Sequence, residues 1–188
     1  MRRYLLFSLL ILLYLAGGAG ASPSKALATD KSSTIAIVLL GPLEFQHRDY
    51  YEIVATTLNK KYGGEKNKLV VGDHPQYMFN RFSDKQGLPP GEIPTDDKLA
   101  DFAWTHSFDQ VIFLLFTAPS VKSNEIALQW ENAEVTLTAR ALTFKSRQKK
   151  KHSDVMTSQT VKTITRQAAK AAVFKKCIEA LRDQMSIP

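Results

Sequence analysis

Four histidines, one cysteine and a few carboxylates are the residues that could do chemistry in this chain, and their spacing limits that chemistry. His47, His74, His106 and His152 stand too far apart in sequence for any two to share a helix turn or a strand face. The close pairing that presents two imidazoles to one metal ion is therefore missing, and no metal site is expected. Cys177 is alone, which excludes an intramolecular disulfide and every multi-cysteine zinc site. A thiol nucleophile needs a base beside it. Cys177 instead borders an apolar stripe with Phe174, Ile178 and Leu181, where a thiol behaves as a small hydrophobe. Ser107 and Ser120 lack the flanking glycines of a nucleophile elbow. Glu44, His47 and Asp49 follow one apolar run, and Asp73 and His74 follow another. At strand ends such groups either move protons for a small molecule or cap the next helix. Gly41-Pro42-Leu43-Glu44 lacks the glycines of a phosphate cradle, so no cofactor is expected.

The elements that would position these groups can be read from periodicity. Residues 35–40 are continuously apolar and end at Gly41-Pro42, the pattern of a strand covered on both faces. Tyr51, Val54, Ala55, Leu58 and Tyr62 then recur at helical spacing before Gly63-Gly64. Residues 68–71 form a short second strand, and a short helix is expected over 75–81. Thr95-Asp96-Asp97 opens a further helix that leads to the strongest strand, residues 111–116. Beyond it the pattern alternates: Ile126, Leu128 and Trp130, then Val135, Leu137, Ala139 and Ala141, with a further strand around 153–157. Alternation predicts antiparallel strands with one covered face. A long helix is expected over 160–185, its stripe made of Ile164, Ala168, Ala171, Phe174, Ile178, Leu181 and Met185. The expected fold is α/β (α+β): a mixed sheet of five or six strands, parallel in its first half and antiparallel in its second, with a long C-terminal helix packed on it.

Charge is distributed unevenly. The 188 residues carry a net charge of +7, with 44% hydrophobic and 23% charged positions, an ordinary globular composition. Residues 145–176 hold ten basic side chains and one acid, Asp154. Arg147, Lys149, Lys150 and Lys151 fall at the expected hairpin tip, and Lys162, Arg166 and Lys170 recur every four residues on the expected helix. These seven are the candidate contacts for an anionic partner: an envelope polymer, a lipid surface or an acidic protein. The same charges would equally serve as a solvated face that blunts an edge strand. Nucleic acid is disfavoured as a partner, because no aromatic residues interleave the lysines to stack bases.

Residues 1–21 begin with Arg2-Arg3, continue through an apolar run over 5–15 and loosen into Ala16-Gly17-Gly18-Ala19-Gly20-Ala21. This is the arrangement of a secretory signal peptide with cleavage after Ala21, the run being too short for a membrane span. Polar, proline-containing residues 22–33 read as a flexible leader, and residues 34–188 as one domain without a transmembrane segment. The expected location is periplasmic or secreted.

The order of residues 35–40, 69–71, Asp97-Lys98-Leu99-Ala100-Asp101-Phe102-Ala103 and Asp109-Gln110-Val111-Ile112-Phe113 resembles a broad group of exported bacterial proteins. Their α/β domain is similar to the curli-secretion lipoprotein family and to the amino-terminal domain of the Tol translocation protein. The resemblance spans residues 34–185 and implies an interaction module in envelope assembly rather than an enzyme. It transfers no functional residue. The chain departs from the group in lacking a lipid-bearing cysteine after the apolar run and in its basic hairpin.

Overall fold

The computed structural model describes residues 32–186 except 90, 127–129 and 147, and describes the side chains of 123–132 at no point. The expected signal peptide and nearly all of the leader lie outside the described residues, as does Arg147.

Strand β1 (Ser33–Leu40) is buried from Ile35 onward and is flanked by two parallel partners, β2 (Asn67–Val71) and β3 (Gln110–Phe116). All seven residues of β3 are buried, as its unbroken apolar run requires of a strand with helices on both faces. Beyond Gly41 comes a 3-10 turn (Leu43–Phe45), then α1 (Arg48–Tyr62). Val54, Leu58 and Tyr62 of α1 pack on the sheet face that carries Ile35, Ile37 and Leu39. The opposite face, with Ala36, Val38, Val111 and Phe113, is covered by α2 (Asp73–Lys85) and α3 (Asp96–Thr105). Phe79, Phe102 and Phe113 pack there edge to face, with ring centroids 5.2 to 5.8 Å apart. Helix α2 is longer than the expected 75–81, since Pro75 is tolerated in a first turn and nothing breaks the helix before Gly87.

The second half is antiparallel. β4 (Ser120–Ile126), β5 (Trp130–Lys145) and β6 (Lys151–Thr163) complete a six-stranded mixed sheet. One edge of β5 is shared by β3, opposite 139–145, and β4, opposite 130–136; its other edge pairs with β6. Val135, Leu137, Ala139 and Ala141 are buried as their alternation predicts. The alternation over 126–130 does not mark one strand: β4 ends at Ile126, β5 begins at Trp130, and Leu128 lies outside the described residues.

The last helix, α4 (Arg166–Gln184), starts six residues later than the periodicity suggests. Residues 160–163 extend β6 instead, pairing with β5 up to Ala133 opposite Thr163. Thr160, Val161 and Thr163 are β-branched and suit the pleated sheet. Thr165 then caps the helix, its hydroxyl accepting from the Ala168 N–H at 3.2 Å. Ile164 is consequently 57% exposed and Ala168 is exposed, while Ala169, Val173, Phe174, Cys177, Ile178, Leu181 and Met185 form the buried stripe. Phe174 stacks on Phe116 at 4.7 Å and packs against Phe45 at 5.3 Å, joining α4 to the ends of β1 and β3.

Gly41 closes β1 with φ +113°, and a methyl group there would collide with the Phe116 carbonyl. Gly41→Ala should therefore cost about 2 kcal/mol or more. That lowers Tm by about 4–8 °C for a chain of this size. An unchanged Tm in thermal denaturation followed by circular dichroism would contradict this close approach of the two central strands.

Candidate functional site

Open α/β sheets bind ligands beyond the carboxyl ends of their parallel strands, where successive connections leave to opposite faces. Here the connection after β1 leads to α1 on one face, and the connection after β2 leads to α2 and α3 on the other. A cavity of about 270 Å³ opens at that place, beside Leu40 and Gly41. β2 ends at Val71, opposite Ile37, so it offers no partner to the Leu39 N–H. The buried Gln76 of α2 supplies one, its Oε1 accepting at 3.1 Å. Its Nε2 donates to Gln46 Oε1 at 3.4 Å and Asn80 Oδ1 at 3.3 Å, and Gln46 Nε2 donates to the Gly41 carbonyl at 3.3 Å. Gln46, Gln76 and Asn80 all line the cavity. Carboxamides donate and accept hydrogen bonds but carry no titratable proton; the carboxylates on the wall of the same cavity are Asp84 and Glu92.

The strand-end acids and histidines named from sequence are not gathered around this cavity. Glu44 accepts from Lys170 at 2.5 Å. His47 occupies the N-cap position of α1 yet makes no side-chain cap bond, and Asp49 lies in the first turn, where the helix dipole favours a carboxylate. Asp73 lines a separate, more open depression with Arg48, Tyr51 and Glu52. The His74 ring meets Phe108 edge-on at 6.2 Å. Tyr50 is raised above its ordinary pKa by burial, then by Glu44 and Asp49; Tyr51 is raised by burial, then by Asp73. His106 stacks on Phe102 at 4.1 Å with Nδ1 2.9 Å from the Phe102 carbonyl, a boundary histidine held by its own helix. Among the described residues no three histidine, cysteine, aspartate or glutamate side chains converge as metal ligands. Cys177 is buried, donates to the Leu137 carbonyl at 3.4 Å, and is pushed up to about 11 by burial, which leaves the thiol protonated at neutral pH.

The six candidate cations among the described residues do not form one patch. Lys149, Lys150 and Lys151 are at the β5–β6 tip, whereas Lys162 lies at the far end of β6, on a strand and not on the last helix. Eleven strand steps separate Lys151 from Lys162, roughly 36 Å. The expected helical row of Lys162, Arg166 and Lys170 is thereby broken after its first member. Most of these cations also hold acids brought from distant sequence. Lys149 pairs with Asp101 at 2.7 Å, Lys162 with Glu134 at 2.8 Å, and Lys170 with Glu44. Lys151 reaches both Asp96 at 2.9 Å and Asp154 at 2.6 Å.

At the centre of this arrangement is Arg140, which the sequence reading did not single out. Its guanidinium meets Asp154 through two bonds at 2.8 and 2.7 Å and Asp96 through two at 3.4 and 3.3 Å. The Arg140 bonds, then those of Lys151, hold Asp154 far below the ordinary carboxylate range, and Asp154 in turn raises Arg140. The alternation that buries Leu137 and Ala139 places Thr136, Thr138 and Arg140 on the opposite face, which is the signal that could have found this surface. There the hydroxyls of Thr136 and Thr160 lie 2.9 Å apart, and Thr138 donates to Ser158 at 3.1 Å.

No family model and no curated protein matches the chain. Its structure is similar to several solved bacterial proteins. Lipoprotein GNA1162 from Neisseria meningitidis shares 13% identity with a TM-score of 0.47, over 81% of this chain and 96% of that one. The hypothetical protein CT253 from Chlamydia trachomatis shares 9% identity with a TM-score of 0.45, over 80% and 96%. The LpoB C-terminal domain from Salmonella enterica shares 11% identity with a TM-score of 0.36, over 68% and 82%. Their descriptions name neither a curli-secretion nor a Tol protein, and none assigns a role to a residue here.

Asp154 supplies the pH test of the cation cluster. A carboxyl group whose folded pKa is depressed stabilises the fold above its unfolded pKa, about 3.9, and loses that contribution as pH falls through the folded value. Asp154→Asn should cost about 1 kcal/mol at neutral pH, as befits a half-exposed network. The stability gap to the parent should hold from about pH 7 to 5 and narrow below about pH 4. Urea denaturation across that range checks it; a gap that widens in acid would contradict the assignment.

Proposed function

We propose that this chain is an exported, non-enzymatic interaction module of the bacterial envelope or exterior, which meets an anionic partner at the tip of the β5–β6 hairpin. The observation that carries the reading is how that tip is mounted. Arg140, Lys149 and Lys151 are matched by Asp96, Asp101 and Asp154, and these pairs fasten the hairpin to α3. Lys150 is exposed and takes part in none of the described ion pairs, so an ammonium is presented from a fixed support. The organisation that goes with this reading is a signal peptide over 1–21, a leader over 22–33 and one domain over 34–188. Among the described residues no helix is long and apolar enough to cross a membrane.

A second reading, a small-molecule binder, is favoured by the Gln46–Gln76–Asn80 cavity. Its carboxamides suit a ligand rich in hydroxyl or amide groups, and Asp84 and Glu92 on its wall disfavour an anionic one.

The anionic contact is tested on immobilised heparin and on vesicles containing anionic lipid. Lys151 is left in place, because it belongs to the Arg140 cluster. Lys149→Ala with Lys150→Ala should bind vesicles about fivefold more weakly, the ~1 kcal/mol expected per surface lysine once Lys149's existing pair is discounted. It should also elute from heparin at lower salt. Equal elution of parent and variant would remove the proposal.

A further inference from the structure

The two edges of the sheet are unequal. β2 is five residues long, with a charged, exposed Lys68 near its start, the usual form of a protected edge. β6 is thirteen residues long, and among the described residues it pairs only with β5. Alternate N–H and C=O groups along roughly 40 Å of strand therefore point away from the sheet. The devices that normally block such an edge are confined to its ends: Lys151 and Lys162, and a register irregularity near Thr143 and Phe144, opposite its first residues. Residues 153–161 contain no proline, glycine or lysine.

What this edge fits can be read from its side chains. The segment Asp154-Val155-Met156-Thr157-Ser158-Gln159-Thr160-Val161-Lys162 is self-complementary about Ser158. An antiparallel copy centred on that residue sets Val155 against Val161 and Asp154 against Lys162, and two-fold symmetry makes each pair twice. Val155 and Val161 are half-buried and lie toward the α1 and α4 layer, so a strand alongside would complete their cover. Asp154 and Lys162 lie on the uncovered face with Met156, which is 67% exposed. Asp154 uses three acceptor positions, two to Arg140 and one to Lys151, of the about four a carboxylate offers. Shifting the centre to Thr157 would set Val155 against Gln159 and His152 against Lys162, and centring on Gln159 would set Met156 against Lys162. Both registers lose the apolar and charged matches.

We infer that two copies of this chain associate through β6, edge to edge and antiparallel about Ser158, joining their sheets into one continuous twelve-stranded sheet. The interface is isologous, as cyclic dimers require, and uses main-chain pairing for affinity and the valine and charge pairs for register. It is independent of the hairpin-tip contact.

The register makes the test specific. Ser158 meets its own copy, with Cα atoms about 4.5–5.5 Å apart, inside the range a disulfide spans. Thr160 and its copy are offset by four residues, about 14 Å. The native thiol of Cys177 is buried and silent. In the purified full chain, Ser158→Cys should convert under mild oxidant to a disulfide-linked dimer, and Thr160→Cys should remain monomeric under the same conditions. Sedimentation velocity of the unmodified chain should show a concentration-dependent species of twice the monomer mass. A monomer at every concentration, or equal cross-linking by the two variants, would overturn the inference.

Discussion

The architecture rests on the two hydrogen-bonding edges of β5. One edge is divided between β3 and β4, and the other is given over to β6. Among the described residues β5 is therefore the strand that joins the parallel half, built on β1, to the antiparallel half. Its inward residues are small or aliphatic, with Ala133, Ala139 and Ala141 beside Val135 and Leu137, which lets α4 approach closely. The single thiol belongs to the same contact, since Cys177 donates to the Leu137 carbonyl. With α4 and α1 on one face and α2 and α3 on the other, helices cover the parallel strands on both sides. Beyond Leu142 the second face of β5 and β6 carries Arg140, Thr138 and Thr136 against Met156, Ser158 and Thr160. Among the described residues no helix covers that part of the face, and polar side chains there keep their contact with water.

The same topology decides the electrostatics. Counted along the chain, residues 145–176 are strongly basic. Folded, the hairpin lies against α3, and Asp96 and Asp101 come within ion-pair distance of Lys149, Lys151 and Arg140. Much of the apparent surplus is thereby matched by acids from the earlier, acidic part of the chain. Pairs as exposed as these add little stability singly. The Arg140–Asp154–Lys151–Asp96 cluster differs because each member has two partners, so ordering one side chain serves two contacts at once.

Much of the fold was legible in the sequence because its core strands announce themselves. The unbroken apolar runs at 35–40 and 111–116 mean burial on two faces, and the period-two pattern from Val135 to Ala141 means burial on one. The start of α4 was not legible: Ile164 and Ala168 continue the helical stripe backward, and only the pairing of Thr163 with Ala133 shows that the chain is still in the sheet there. The site was harder to read for a related reason. Charge neighbours at one strand or helix spacing can be seen in a sequence, but Lys170 with Glu44 and Lys149 with Asp101 are 126 and 48 residues apart. The Gln76 network was equally hidden, since it answers an N–H left over where β2 is shorter than β1.

β5 is bonded on both sides while, among the described residues, β6 presents an open edge. Amide hydrogen exchange measured at several protein concentrations tests it most directly. The account predicts strong protection throughout residues 133–144 at every concentration. On β6, alternate amides should exchange quickly in dilute solution and gain protection as concentration rises. Full protection of every β6 amide at the highest dilution would show that the edge is already covered within one chain, and would contradict the account.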